Sequence, residues 1–353
     1  MRVLHVVEPF SSGIITFIIH LVEGMPEFEN IVVHGNRVTA DKQENVRGRF
    51  PSKTKFIEWP SVQRELNILS DLRATFELNK IIRSEKPDVI HLHSSKAGFI
   101  GRLIGIFFKA SIIYTPNGLP FLRLDIGYVR RKYYTFLEFI ASRLSGRVIC
   151  CSKSESFAIK NIGINNTYIN NGTQILRDTE SNREPGVITI ICAAIITEQK
   201  DPELFNSIAE YFAKTDNIKF IWVGDGALRD RLKSKNIFIT GWMNHNDVKI
   251  LLSKSDIYLS CSLWEGLPFA VMEAMNHRTC LLLRRCSGNV DLVHPGINGY
   301  IYESLDEAIS RIKELIVDRS KINSFGRKSK QILSANFDAK KMAANYASEY
   351  LDS

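Results

Sequence analysis

Two glutamates with seven residues between them flank a proline turn in Ser262-Leu263-Trp264-Glu265-Gly266-Leu267-Pro268-Phe269-Ala270-Val271-Met272-Glu273. Pro268 suits the first turn of a helix. Gly266 and Leu267 then fall at a helix N-terminus, where amides without intrahelical partners attract phosphate or sugar oxygens. Glu265 would stand in the loop and Glu273 about two turns along the helix. Carboxylates in those places accept strong hydrogen bonds from sugar and ribose hydroxyls, though Glu265 would also complement the helix dipole and Glu273 a solvated helix face. Lys200 follows Ile195-Ile196-Thr197-Glu198-Gln199 at the end of an apolar run. A lysine there can neutralise a departing diphosphate without a metal, or be an ordinary surface cation. Two glycine-bearing turns add anion-binding capacity. Glu8-Pro9-Phe10-Ser11-Ser12-Gly13 precedes a helical pattern at Ile14, with Gly13 placed either against a diphosphate or in a tight turn. Val223-Gly224-Asp225-Gly226-Ala227-Leu228-Arg229 joins a strand to an expected helix, its glycines permitting close backbone approach. The first of these loops lacks a Gly-x-Gly-x-x-Gly pattern, so a dinucleotide fingerprint is not supported.

The elements that must position these residues alternate along the whole chain. Apolar runs at Val3–Val7, Ile31–His34, Val89–His93, Ile112–Thr115 and Val148–Cys151 read as strands of one half, and Val187–Ala193, Phe220–Val223, Ile237–Thr240, Ile257–Ser260 and Cys280–Leu283 as strands of the other. Runs that are apolar throughout, separated by helical patterns, predict parallel sheets covered on both faces. The fold class is therefore α/β, with two doubly wound, Rossmann-like domains. The boundaries expected are a first domain over 1–175, a polar linker at 176–186, a second domain over 187–336, and a helix over 337–353 packing back on the first domain. Two such sheets facing one another would build a central cleft beyond the carboxyl ends of their strands.

A length of 353 residues, 44% of them hydrophobic and 24% charged, suits two globular domains and excludes a disordered chain. The N-terminus has no signal-peptide pattern, and the apolar run at Phe99–Phe108 is broken by Arg102. The six cysteines lie mostly in apolar runs without metal-ligand spacing, which points to reduced thiols and a cytoplasmic protein. Of the net charge of +8, all sits in residues 1–172, with 23 basic against 15 acidic residues, whereas 173–353 hold 23 of each. That asymmetry predicts an anionic partner for the first domain, a phospholipid surface or phosphate-bearing substrates. Neither a regularly spaced basic helix nor an aromatic platform for single strands is present, so no nucleic acid partner is expected. Within Phe121–Leu144, basic Arg130, Arg131 and Lys132 mingle with Tyr128, Tyr133 and Phe136, a mixture suited to a lipid headgroup boundary or to an ordinary core face.

Together these motifs are identifiable. Glu265 and Glu273 around Glu-Gly-Leu-Pro, Glu-Gln-Lys200-Asp-Pro, Gly-Asp-Gly-Ala-Leu-Arg, Asn171-Gly172, Ser287-Gly288-Asn289, Asn298-Gly299, His93-Ser94-Ser95-Lys96-Ala97-Gly98 and Tyr114-Thr115-Pro116-Asn117-Gly118 resemble the retaining glycosyltransferases of family four, which have the GT-B fold, and in particular those that build bacterial O-antigens, capsules and lipopolysaccharide. The resemblance implies hexosyl transfer, with retention and without a metal or cofactor, from a UDP- or GDP-type nucleotide sugar to a lipid-linked or saccharide acceptor. It implies that Glu273 binds the donor ribose and Glu265 the sugar. Gly266, Leu267, Pro268 and Phe269 would offer backbone to sugar or phosphates, Lys200 and Gly13 would meet the diphosphate, and Asn117 would contact the sugar. Two positions depart from the family pattern. An arginine expected five residues before the lysine is Ile195, and a histidine expected in the first-domain turn is Asn117. The alternatives are a catalytically impaired relative that binds nucleotide sugars or a partner enzyme, and a sugar-nucleotide epimerase on the same architecture. A peripheral location on the inner face of the plasma membrane is expected for the transferase.

Overall fold

The computed structural model describes residues 1–37, 43–63, 65, 67–177 and 183–352, so part of the predicted linker lies outside the described residues. The chain forms two compact units. The first comprises Met1–Leu122, Ile126–Gln174 and Ala339–Ser353, and the second Arg123–Asp125 and Ile175–Asp338.

Seven strands make the sheet of the first unit: β1 (Arg2–Pro9), β2 (Glu29–Arg37), β3 (Lys55–Glu58), β4 (Val89–His93), β5 (Ser111–Thr115), β6 (Arg147–Cys150) and β7 (Thr167–Tyr168). Their order is β3-β2-β1-β4-β5-β6-β7, parallel throughout. Parallel strands need crossovers, and the helices supplying them cover both faces, which is why Val3, Leu4, Val6 and Val7 are all fully buried. The order reverses between β1 and β4, where doubly wound sheets open a crevice beyond the strands' carboxyl ends. The helix Ala339–Leu351 belongs to this unit and packs on Ser12–Gly24 so closely that a Cβ on Gly24 would collide with Ala343. Its Tyr350 hydroxyl bonds His91 Nδ1 at 2.6 Å, and its Tyr346 hydroxyl lies 3.1 Å from Thr115 Oγ1.

The second unit repeats the plan with β8 (Ile188–Ala193), β9 (Ile218–Val223), β10 (Ile237–Ile239), β11 (Ile257–Ser260), β12 (Cys280–Arg284) and β13 (Gly299–Tyr302), in the parallel order β10-β9-β8-β11-β12-β13. Phe205 packs edge-on against Trp222 and Phe220 at the centre of its core. The switch point here lies between β8 and β11, so loops after those strands are the ones placed for ligands.

Three strands were not legible as apolar runs. The edge strand β3 is exposed at both ends and only half-buried between, β7 is two exposed residues, and β13 begins at Gly299, where a Cβ would strike the Leu281 carbonyl. The glycine turn after β9 opens no α-helix: a 3-10 turn, Arg229–Arg231, leads directly toward β10. Pro268 is the N-cap of the helix Phe269–Asn276 rather than a residue of its first turn.

Candidate functional site

In the second unit, the chain leaving β8 makes a 3-10 turn over Glu198–Lys200, closed by the Lys200 amide donating to Thr197 at 2.9 Å. This turn is stitched to the loop after β11. Leu263 donates its amide to the Gln199 carbonyl at 2.9 Å, and Gln199 Nε2 donates to the Trp264 carbonyl at 2.8 Å and to Glu265 Oε2 at 3.4 Å. The result sets Lys200 Nζ in a short ion pair with Glu265 Oε1. Burial works against the lysine's charge, and the Glu265 carboxylate more than offsets it, so the Lys200 pKa is raised and the ammonium persists at neutral pH.

Glu265 is 8% exposed, and its loop is held from behind by a glycine. Gly288 takes φ 81°, and a Cβ there would lie 2.5 Å from the Gly266 carbonyl and 3.0 Å from the Glu265 side chain, so no other residue fits without moving Glu265. Gly224, at φ 129°, lies against the Ala194 carbonyl, next to Ile195, and its amide donates to Gly241 at 3.1 Å. Glu273 is half-buried on the Phe269–Asn276 helix, with His245 Nδ1 at 3.9 Å. Both Glu265 and Glu273 lie near enough to the buried Tyr258 hydroxyl to hold its proton on, behind the larger effect of burial. The second unit therefore gathers Lys200, Glu265, Gly266 and Glu273 at the carboxyl edge of β8 and β11. Leu267 is buried beneath them and Phe269 opens the helix.

Gly13 and Asn117 belong to the first unit. Gly13 lies in the first turn of the helix Ser12–Gly24, directly beyond β1. Asn117 follows β5 in the left-handed region at φ 54°, with Nδ2 donating to the Thr115 carbonyl at 3.4 Å.

Several groups at these edges gave no signal in the sequence. Buried Glu155 accepts the Gly118 amide at 2.7 Å and the Cys151 amide at 2.8 Å, tying the Asn117 turn to the end of β6; burial pushes its pKa up against those bonds. Arg37 forks onto Glu8 at the end of β1, with both bonds 2.8 Å. Arg123 lies over the Trp264 ring, 5.8 Å from its centre. Arg284, the last residue of β12, donates to Asp201 Oδ2 at 2.6 Å. Cys192 and Cys286 near Lys200 are pushed up to about 12, chiefly by burial, so neither is a thiolate nucleophile at neutral pH. What remains is chemistry of charge and hydroxyl recognition: one ammonium, two carboxylates and backbone at a helix start.

Comparison with known proteins agrees with that chemistry. A family model described as Glycosyltransferase Family 4 matches residues 12–175, and one described as Glycosyl transferases group 1 matches residues 176–332. The chain is 26% identical over 325 residues to the UDP-Gal:alpha-D-GlcNAc-diphosphoundecaprenol alpha-1,3-galactosyltransferase of Escherichia coli, covering 83% of this chain and 82% of that one. Among solved structures, the sucrose-phosphate synthase of Thermosynechococcus elongatus superposes with a TM-score of 0.84 at 13% identity, over 100% of this chain and 99% of that one. An Anabaena protein solved with UDP-glucose superposes with a TM-score of 0.80 at 16% identity, over all of both chains. These two likenesses establish the fold, two doubly wound sheets.

Proposed function

Because the chain belongs to the family-four glycosyltransferases of the GT-B fold, we propose that it transfers a hexose, with retention of anomeric configuration, from a nucleoside diphosphate sugar to a lipid-linked saccharide in the assembly of a bacterial surface polysaccharide. The observation that carries this reading is the Lys200–Glu265 pair at the carboxyl edge of β8 and β11, with Glu273 on the helix that follows. In this reading Glu273 takes the ribose hydroxyls and Glu265 a sugar hydroxyl, while Lys200 meets the diphosphate. The bond from the anomeric carbon to the phosphate oxygen breaks and a bond from that carbon to the acceptor oxygen forms on the same face. The acceptor proton passes to the departing phosphate. Lys200 stabilises charge where it develops, so no metal or cofactor is part of the scheme, and the chain's work is positioning. Taken within the first unit alone, Gly13 offers backbone suited to phosphate oxygens and the Asn117 amide suits a sugar hydroxyl.

The name of the Escherichia coli relative specifies a UDP-Gal donor and a GlcNAc-diphosphoundecaprenol acceptor. A lipid acceptor fits the surface of the first unit. Helix Ile68–Glu85 packs on Ser95–Gly105, which packs on Tyr128–Leu144. All three expose large apolar side chains, including Phe76 at 75%, Phe107 just past the middle helix at 69%, Val129 at 82% and Phe136 at 59%. Exposed apolar side chains of this size suit an interaction surface, and Arg130, Arg131 and Lys132 on the third helix would favour anionic lipid. No helix among the described residues is long and apolar enough to cross a membrane. The location we propose is therefore peripheral, on the cytoplasmic face of the plasma membrane.

The test is donor hydrolysis and transfer by the purified protein with UDP- and GDP-sugars. Release of free sugar or transfer to a lipid-linked acceptor supports the reading; interconversion of two free donors without acceptor would make the protein an epimerase instead.

A further inference from the structure

The family pattern places an arginine five residues before Lys200, and Ile195 stands there, so one of two cations expected on the leaving diphosphate is absent from that strand. We propose that Arg284 supplies it from a different strand, reaching the diphosphate beside Lys200; the inference rests on the glycosyltransferase reading given above.

The argument begins with sheet order. β11 lies between β8 and β12, all parallel, so their carboxyl ends stand side by side. Cys280–Leu283 of β12 are fully buried, and Arg284 is the first residue of that strand to emerge. Its side chain crosses the end of β11, where Nη1 lies 3.5 Å from the Cys261 carbonyl, and reaches Asp201 Oδ2 at 2.6 Å. Asp201 is the residue after Lys200. It is fixed in the left-handed region at φ 47° and its other oxygen caps the helix Pro202–Tyr211 through the Leu204 amide at 3.0 Å. The guanidinium is thus anchored through one nitrogen at a rigid point one residue from Lys200. Among the described residues its Nε and Nη2 have no hydrogen-bond partner, and the side chain is 24% exposed, so that edge of the fork is open to a ligand. Lys200 and Arg284 both lie near enough to the Cys286 thiol to act on it, behind the larger effects of burial and Glu265. A planar fork with an unused edge is the geometry that phosphate oxygens take in pairs.

The experiment measures binding of UDP, GDP, uridine and guanosine to wild type, Arg284→Met, Arg284→Lys and the double variant Arg284→Met with Ile195→Arg, each first checked for an unchanged ligand-free melting point. Expected is a loss of tenfold or more in diphosphate affinity for Arg284→Met, a smaller loss for Arg284→Lys, unchanged nucleoside affinity in both, and recovery in the double variant. A merely structural role through Asp201 would neither spare the nucleosides nor be rescued from position 195. Wild-type diphosphate affinity in Arg284→Met overturns the assignment of Arg284 alone. Failure of the wild type to bind either diphosphate overturns the donor reading and this assignment with it.

Discussion

Lys200 and Glu265, 65 residues apart in the chain, are bonded to one another through side chains that leave the ends of two neighbouring strands of the second unit. The pair holds the ammonium in place before any ligand arrives, and it sets the first expectation. Lys200→Met should lower kcat by about 10²–10³, the usual loss when a group aimed at developing charge is removed, and should also lower the melting point, because Glu265, 8% exposed, is left without its counter-charge. Steady-state transfer rates check this, and a Lys200→Met protein with wild-type kcat would remove the lysine from the chemistry.

Glu273→Ala should weaken donor binding while leaving the fold intact. Its carboxylate is half-buried, with His245 Nδ1 at 3.9 Å. Isothermal titration with UDP and with a UDP-sugar measures the effect, and an unchanged dissociation constant for both removes Glu273 from the ribose role.

The first unit should lose stability as pH falls below about 6.5. His5, His91 and His93 are fully enclosed; His5 Nδ1 lies 3.2 Å from His93 Nε2, and His93 Nδ1 has no partner among the described residues. Burial lowers the His5 pKa to about 4, and burial together with neighbouring imidazoles lowers those of His91 and His93 well below the ordinary value. The unfolded chain, with histidines near 6.5, takes up protons that the folded chain refuses. Stability is therefore full above that value and falls as pH drops toward 4, by up to about 1.4 kcal/mol per pH unit for each histidine. Denaturant titrations across pH 4–7.5 test the slope, and His93→Asn should reduce it by about one proton.

Anionic vesicles should sediment the protein and neutral ones should not, with binding weakened by salt. Changing Arg130, Arg131 and Lys132 together to Ser should reduce the salt-sensitive part. Val129→Asp with Phe136→Asp should abolish what salt leaves. Equal sedimentation of wild type and both variants would show that the three-helix surface is not the contact.

The strands legible in the sequence were those buried on both faces, because enclosure makes most positions apolar: Cys280–Leu283 reads as a strand without any alternation, and Val89–His93 as an apolar run that carries two histidines. The edge strands β3 and β7 escaped for the opposite reason, since Lys55 and Tyr168 face solvent and carry no pattern. Lys200, Glu265 and Glu273 could be proposed because each sits in a local motif. Arg284 and Asp201 could not, since their pairing depends on which strands are neighbours, and that order is not written locally. The histidine cluster was hidden likewise: His5 and His91 pair in register across β1 and β4, although each strand alone reads as an ordinary apolar run. Phe121–Leu144 was half legible. Its mixture of cations and aromatics was plain, but only the structure separates exposed Tyr133 and Phe136 from half-buried Tyr134 and Phe139.

The helix Ala339–Leu351 carries a consequence for biogenesis. A ribosome makes residues 1–174, then the whole of the second unit, and only afterwards the segment that brings Tyr346 and Tyr350 to Thr115 and His91. The portion of the protein synthesised earliest is thus completed latest. While the intervening residues emerge, the groove beside Ser12–Gly24 and the imidazole of His91 lack their cover, a state in which exposed apolar surface invites aggregation or a chaperone. Nascent chains arrested after residue 338 should be cut by protease within the first 174 residues, and chains arrested late enough to free residues 339–352 from the ribosome should resist.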